Sequence, residues 1–266
     1  MLIDTHCHLD FNRFDADREA VLLRAQAAGV ERIIVPAIDL DNCVDVLALA
    51  DRYAAVFAAV GVHPNSSAGW ENSWLDQVRD FARHPKVVAV GEIGLDYYWD
   101  DASKEDQHNA LSSQLNLAAE LDLPVVIHNR ESSADVIRLL SESPLAGRER
   151  AGVLHSFSAA WPVAEAALEM GFYIGITGPV TFKKANDLRD IAARLPLERI
   201  LVETDARFLA PQQRRGKRNE PAYVAYVADQ LATLHDLSSA EMARITTANA
   251  QRLFGPMPDD REGSDG

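Results

Sequence analysis

Short apolar runs recur along the chain, separated by longer segments with helical periodicity. Runs rich in β-branched residues are typical of parallel strands that are buried on both faces of a sheet. Eight runs fit this description: Leu2–His8, Arg32–Ile38, Val60–His63, Val87–Glu92, Pro124–His128, Gly152–His155, Phe172–Thr177 and Ile200–Asp205. Their ends lie roughly 20 to 36 residues apart, which leaves room for one crossover helix after each strand. The pattern predicts an α/β fold, a (β/α)8 TIM barrel.

The segments between these runs carry recognisable helix signals. Residues 221–234 are predicted to form the helix that follows the eighth strand. Ser238 and Glu241 form a capping box at the start of an extra C-terminal helix that runs to Phe254. Ser132 is predicted to cap the helix after the fifth strand in a similar way.

Composition limits the number of domains that the chain can form and the class of partner that it can bind. The 266 residues suffice for one barrel, so we expect residues 1–255 to form a single domain and the acidic residues 256–266 to form a disordered tail. Cys7 and Cys43 cannot form a disulfide framework, and no apolar run is long enough to span a membrane, so we expect a cytoplasmic protein. We also expect it to be a monomer. The net charge of −14 excludes a general nucleic-acid coat protein. It does not exclude an enzyme acting on a phosphodiester, because metal ions supply local positive charge.

Six of the eight runs end in an imidazole or carboxylate side chain. A parallel barrel builds its active site at the carboxyl ends of its strands, so we expect these side chains to converge. The candidate metal ligands are His6, His8, Glu92, His128, His155 and Asp205. His6 and His8 are two residues apart and therefore point to the same side of their strand. Glu92 can give one oxygen to each of two ions, which predicts a centre of two divalent ions (Mg, Mn or Zn).

Three residues are candidates for catalytic roles. Asp205 is predicted to act both as a ligand and as the proton acceptor for a water that the metal ions activate. Glu203 lies on the same face of the strand and either supports the site or is a buried carboxylate that caps a helix. His63 is either an acid or phosphate donor beside the ligands, or a histidine that anchors its loop.

Positive side chains follow several of the same strands. The candidate substrate-binding residues are Arg130, Lys183, Arg215, Lys217 and Arg218. The last three lie in a loop after the eighth strand, where barrels commonly bind phosphate. In an acidic chain this cluster suggests an anionic substrate, although a solvated loop that neutralises acidic neighbours would have the same composition.

Taken together, these segments resemble the TatD family of metal-dependent deoxyribonucleases, within the amidohydrolase-like barrels. The matching motifs follow the family's order: DTHCHLD from Asp4, VGVHP from Val60, VGEIGLDYY from Val90, PVVIHNR from Pro124, GVLHSFS from Gly152, ETDARFLAP from Glu203, RGKRNEP from Arg215 and TTANAQRLF from Thr246. The resemblance implies that the six candidate ligands bind divalent metal. It also implies hydrolysis of DNA phosphodiesters, often as an exonuclease that trims single strands from the 3′ end, with RNA as a further candidate substrate.

The chain departs from the family at two places, both at the predicted mouth of the site. Arg207-Phe208 stands where a pair such as Pro-Tyr is common, and Ala159 stands where glycine is common. Related barrels cleave amides or acyl esters, so an aminoacyl-tRNA deacylase is an alternative function. Many of those relatives bridge their metals with a carboxylated lysine, whereas this chain has Glu92, which favours the nuclease branch. A metal-stabilised scaffold without catalysis would be indicated by a missing ligand, and none is missing.

Overall fold

Eight parallel strands close into a barrel in the computed structural model, which describes residues 1–257. The strands pair in the order of the sequence. They are β1 (Leu2–Asp4), β2 (Val30–Pro36), β3 (Val56–Val60), β4 (Val87–Asp96), β5 (Val125–Arg130), β6 (Gly152–Leu154), β7 (Tyr173–Ile176) and β8 (Ile200–Val202). The barrel closes between β8 and β1, where the Thr5 amide donates to the Val202 carbonyl over 3.2 Å. The predicted (β/α)8 barrel is therefore confirmed.

Nine α-helices surround the strands in the part of the chain that the structure describes. They are α1 (Arg18–Ala27), α2 (Leu40–Arg52), α3 (Asn72–Phe81), α4 (Lys104–Leu121), α5 (Ser133–Glu142), α6 (Trp161–Glu169), α7 (Asn186–Arg194), α8 (Val224–Leu234) and α9 (Ser239–Phe254). The first seven helices each connect one strand to the next, as parallel pairing requires. None of the nine is long and apolar enough to cross a membrane.

Apolar side chains fill the barrel at the amino ends of the strands. Every strand contributes to this inner cluster, with Ile3, Ile34, Phe57, Ala59, Val88, Ala89, Val126, Val153, Tyr173 and Leu201. Helix α9 covers this end of the barrel, because Leu253 and Phe254 belong to the same cluster. The Asn249 side chain also donates to the Ile200 carbonyl at the start of β8 (2.9 Å). The opposite end, where the strands finish, carries the polar side chains.

The two predicted helix caps have different outcomes. The capping box of α9 is present, since the Glu241 amide donates to the Ser238 hydroxyl (3.2 Å) and the Ser238 amide to Glu241 Oε2 (3.0 Å). The prediction for Ser132 is wrong. Ser132 precedes α5, but its hydroxyl bonds the Leu95 carbonyl (2.8 Å) and Asn129 Oδ1 (2.9 Å). It therefore connects β4 and β5 to α5 instead of satisfying a helix amide.

The predicted tail lies mostly outside the described residues. Its second residue, Met257, is buried in the inner cluster beside α9. The Met257 carbonyl also accepts a hydrogen bond from Arg32 Nε at 3.0 Å. The chain therefore stays packed against the barrel to Met257, two residues beyond the predicted end of the domain.

Candidate metal centre

The six predicted ligands meet at the carboxyl end of the barrel. Glu92 and His128 lie within β4 and β5, and the other four lie a short distance past the ends of β1, β6 and β8. Two steps along extended chain bring His6 and His8 to the same side, with their Nε2 atoms 3.3 Å apart. Cys7, between them, points away from the centre and is buried among the apolar side chains that pack between the strands and the helices. The alternation predicted for this segment therefore continues beyond the last residue of β1.

Glu92 lies at the centre of the cluster, and its two oxygens face different histidines. Oε1 lies 2.8 Å from His155 Nε2 and 2.9 Å from His128 Nδ1. Oε2 lies 3.3 Å from His6 Nε2 and 3.6 Å from His8 Nε2. Asp205 completes the second side, with Oδ1 3.7 Å from His8 Nε2. One buried carboxylate thus separates two groups of ligand atoms, which is the geometry expected of a bridge.

The donor set fits divalent metal ions. Imidazole nitrogens and carboxylate oxygens are ligands that ions such as Zn and Mn accept in proteins. Three groups of side chains bring ligand atoms within 4.8 Å of one another: His6 with Glu92 and His155, His6 with His8 and Asp205, and His63 with Glu92 and His128. Within residues 1–257, the ion pairs of Glu92 and Asp205 involve histidines alone. No lysine or arginine pairs with these carboxylates in that range, so metal ions would supply positive charge beside them.

Burial and mutual proximity shift the acidities of these groups strongly. Burial alone would raise the pKa of Glu92, but the imidazoles around it, His155 foremost, lower that pKa well below the ordinary value. Burial lowers the pKa of His6 to about 3. For His155, burial acts in the same direction, yet the Glu92 carboxylate raises its pKa to about 9. Without metal, His155 and Glu92 therefore form a buried ion pair, and metal binding must displace the imidazole proton.

Asp96 is a functional candidate that the sequence reasoning missed. Its Oδ2 atom lies 3.0 Å from His128 Nε2, so it accepts the proton of that nitrogen. This contact leaves His128 Nδ1 free to face the centre. Carboxylates commonly orient metal-binding histidines in this way. A signal was present in the sequence, because Glu92 and Asp96 are four residues apart on one strand and share a face.

His63 lies closer to the ligands than the sequence reasoning assumed. Its Nε2 atom is 3.5 Å from Glu92 Oε1. Its Nδ1 atom accepts a hydrogen bond from the Asn65 amide at 3.1 Å, so a neutral His63 carries its proton on Nε2. Burial also lowers its pKa, which favours this neutral form. The ring therefore anchors its loop through Nδ1 and also presents an N–H donor to the centre. The loop-anchoring contact is present, and the role as an acid stays a prediction.

Glu203 is fully buried and does not line the cavity above the ligands. Its Oε2 atom accepts from the Ser156 amide at 2.9 Å. Gly175 in β7 makes room for it, since a Cβ there would lie 2.2 Å from Glu203 Oε1. Burial raises the pKa of Glu203 to about 7. Its catalytic role remains a prediction, and its contacts are those of a carboxylate that fixes the loop after His155.

A cavity of about 650 Å³ opens above the ligands. Its floor includes Glu92, His128, His155 and Asp205. Its walls include aromatic and positive side chains: Phe11, Trp99, Arg130, Arg207 and Phe208. Trp99 and Phe208 remain about half exposed, at 50% and 48%. Large aromatic surfaces left open to solvent around a polar floor indicate a binding site for a ligand with flat apolar parts.

The predicted substrate-binding residues divide into two groups. Arg130 lines the cavity, with its guanidinium stacked 3.8 Å from the Tyr98 ring centroid. Lys183, Arg215, Lys217 and Arg218 do not line it. Arg218 is occupied elsewhere, because it donates to both carboxylate oxygens of Asp17 at 2.8 Å. Arg218 thus joins its loop to Asp17, the residue before α1, and phosphate binding by these four residues stays a prediction.

Known proteins match this chain over nearly its full length. The family model described as TatD related DNase matches residues 3–255. The metal-dependent hydrolase YabD of Bacillus subtilis (strain 168) is 42% identical over 96% of this chain and 99% of its own length. The crystal structure of YjjV, a TatD homologue from Escherichia coli K12, has a TM-score of 0.89 at 40% identity, over 96% of this chain and 98% of that one.

A further relative carries a more specific name. The protein named 3'-5' ssDNA/RNA exonuclease TatD from Citrobacter koseri is 35% identical over 96% of this chain and 99% of its own length. The family model, the full-length relatives and the cluster of buried ligands agree with one another. The chain therefore belongs to the TatD family and is a metal-dependent hydrolase of the DNase-like type.

Proposed function

We propose that this enzyme hydrolyses the phosphodiester bonds of single-stranded DNA from the 3′ end, with RNA as a second substrate. The observation that carries this proposal is the position of Glu92, whose two oxygens face two groups of ligands beneath an open cavity. Two metal sites side by side suit an in-line displacement at phosphorus. The name of the Citrobacter koseri relative supports both the substrate and the direction of attack.

The ligands divide between two divalent ions, Mg, Mn or Zn. His6, His8 and Asp205 would hold one ion, His128 and His155 the other, and Glu92 would contact both. When bound, the ions polarise the phosphoryl oxygens and make a water molecule more acidic. All of these side chains come from one chain, which fits an enzyme that acts as a monomer.

The remaining polar groups handle protons. Asp205 lines the cavity, and burial raises its pKa, so it is placed to accept the proton of the attacking water. His63, with its Nε2 proton, is placed to donate to the leaving oxygen on the opposite side of Glu92. Asp96 keeps the His128 ring in one orientation. These assignments give each of the three groups a different task.

The walls of the cavity favour a single strand over a duplex. Bases in a single strand are free to stack on aromatic side chains, each worth about 1–3 kcal/mol. Trp99 and Phe208 offer such surfaces at the mouth. Arg130 lies beside Trp99 and can contact a backbone phosphate. A duplex keeps its bases stacked on each other and cannot use these surfaces.

Direct assay of cleavage tests this function. Metal-stripped protein reloaded with Mg, Mn or Zn would be incubated with single-stranded DNA labelled at the 5′ end. Stepwise shortening from the 3′ end is expected, with slower loss of duplex DNA. Glu92→Gln should abolish shortening of the DNA, because it removes the bridging charge. Arg83→Ala, a substitution of an exposed residue, serves as the control. Hydrolysis of an aminoacyl-tRNA ester with no cleavage of any nucleic acid would overturn the proposal in favour of a deacylase.

A further inference from the structure

Arg207 is a positive side chain in the cavity wall that no carboxylate within residues 1–257 neutralises. Its guanidinium lies between two rings, 4.7 Å from the Phe11 centroid and 4.8 Å from the Phe208 centroid. Its Nε atom is buried and has no hydrogen-bond partner within residues 1–257. No carboxylate in that range forms an ion pair with it. The site therefore holds a guanidinium fixed by stacking, with its donors unused.

Arg214 also has a buried Nε without a partner in the described part of the chain, but it does not line the cavity above the ligands, and two further arginines are paired with carboxylates. Arg218 is paired with Asp17, and Arg24 with Glu220. Arg130 also lines the cavity, but it is the last residue of β5, whereas Arg207 follows β8 on a different part of the rim. β5 and β8 are not neighbours in the barrel, and the candidate ligands Glu92, His155 and Asp205 line the same cavity as the two arginines. A strand that placed one phosphate over Glu92 would extend beyond the centre, where a fixed guanidinium can meet its next phosphate.

The charges on either side of Arg207 indicate where an anion would bind. Arg207 also borders a neighbouring cavity of about 700 Å³ that is lined by Asp10, Asp15 and Asp45. Arg18 and Arg52 also line that cavity, and Arg18 pairs with Asp15, so its lining offers an anion no excess of positive charge. On the side of the metal centre, ions held by Glu92 and its neighbours would attract it. An anionic ligand of Arg207 therefore belongs in the cavity above the metals.

We propose that Arg207 binds the phosphate next to the one that is cleaved, and that this enzyme consequently prefers substrates with at least two consecutive phosphates. The inference rests on the proposed phosphodiesterase activity. It assigns a specificity-determining role to a residue at which this chain departs from the family's usual Pro-Tyr pair. A guanidinium forms two parallel hydrogen bonds to a phosphate, which makes the contact strong and oriented.

Three substrates separate this role from a structural one. The first is a thymidine trinucleotide with two phosphodiesters, and the second is the same trinucleotide with a neutral methylphosphonate at the linkage that is not cleaved. The third is bis(4-nitrophenyl) phosphate, which has no neighbouring phosphate. Arg207→Met, which keeps bulk but removes charge, is compared with Arg83→Ala, a change at an exposed residue of α3. Thermal melting of each variant checks the fold.

Arg207→Met should raise KM for the trinucleotide about tenfold and leave kcat within twofold, as expected for loss of a hydrogen bond to a charged group. For the wild type, KM should be about tenfold higher on the methylphosphonate than on the unmodified trinucleotide. For Arg207→Met, KM should be the same on both. The nitrophenyl diester should be cleaved equally by both. A variant that is unaffected, or that loses equally on all three substrates, would overturn the role of Arg207 while leaving the phosphodiesterase activity intact.

A different outcome would identify a failure of the proposed function itself. If the metal-loaded wild type cleaves none of the three substrates, calorimetric binding of the two trinucleotides replaces kinetics. The same pattern in Kd would uphold the phosphate contact of Arg207 without phosphodiester cleavage. Absence of binding, or equal Kd values for the wild type and Arg207→Met, would overturn both proposals.

Discussion

Asp205 and Glu203 are single residues two positions apart after β8, and their surroundings differ. Asp205 lines the cavity and approaches His8 Nε2 at 3.7 Å. Glu203 is enclosed below it, where the Ser156 amide and the Thr5 hydroxyl are its donors. Only a group that reaches the cavity can exchange a proton with substrate or water. Asp205 therefore remains the predicted base, whereas the contacts of Glu203 are with the loop that carries Ser156.

Paired substitutions test this division of roles. Asp205→Asn keeps the shape but removes the basic charge, so kcat at saturating metal should fall on the order of 10²-fold or more. Glu203→Gln can still accept from the Ser156 amide, so it should retain kcat within about tenfold while lowering the thermal midpoint. Steady-state kinetics and thermal melting of both variants provide the measurement. A Glu203→Gln enzyme that is inactive beside an active Asp205→Asn enzyme would reverse the assignment.

Some of these roles were accessible from the sequence, and others were not. The candidate ligands were accessible, because an imidazole or carboxylate at the end of an apolar run, as in six of the eight runs, needs only strand periodicity to be recognised. The role of Asp96 was also accessible through its parity with Glu92 on β4. The exposure of Arg207 to the cavity was not, since it depends on Phe11, which lies almost 200 positions earlier in the chain and packs against the guanidinium.

The strands position the site even where regular pairing ends early. β1 ends at Asp4, yet Cys7 still bridges to Ala206 in parallel register. This bridge keeps the segment after β1 extended, so His6 and His8 face the centre as their spacing predicted. Asp4 contributes from below: it accepts from the Thr204 amide (2.9 Å), which fixes β8 against β1. The predicted strand ends were imprecise. The predicted alternation of side chains is still observed, because hydrogen bonds between the segments after β1 and β8 keep both segments extended.

Helix α9 is expected to contribute to the stability of the barrel. Leu253 is fully buried at the end of the barrel opposite the site. Leu253→Ala should lower the free energy of unfolding by about 2–5 kcal/mol, through lost burial and the cavity that remains. Arg244→Ala, at an exposed position on the same helix, should change it by less than about 0.5 kcal/mol. Urea denaturation measures both, and a loss below about 1 kcal/mol for Leu253→Ala would show that α9 is not part of the cooperative core.

Across the whole molecule, charge is distributed differently from what composition alone suggested. The chain has a net charge of −14, and the sequence placed its compensating positive charge in the loop that contains Arg215, Lys217 and Arg218. In the structure, α1 neutralises part of that loop through Asp17, which is about 200 positions away in sequence. The positive charge that reaches the cavity comes from Arg130 and Arg207. Such long-range pairing depends on the closed barrel, so local composition could not reveal it.

Metal binding should stabilise the whole molecule, because the ligands come from strands all around the barrel. Ions that bind only the folded chain at 100 times their Kd add about 2.7 kcal/mol, which corresponds to roughly 5–10 °C in Tm for a chain of this size. Chelation at pH 7.5 should therefore lower the Tm by that amount, and reloading should restore it. The stabilisation should shrink as pH falls below about 9, because the Glu92 carboxylate raises the pKa of His155 to about 9 and that imidazole must lose its proton to bind metal. A Tm that does not respond to chelation or to added Mg, Mn or Zn at pH 7.5 would mean that the buried cluster is stable without ions. The neutralising role assigned to them would then be wrong.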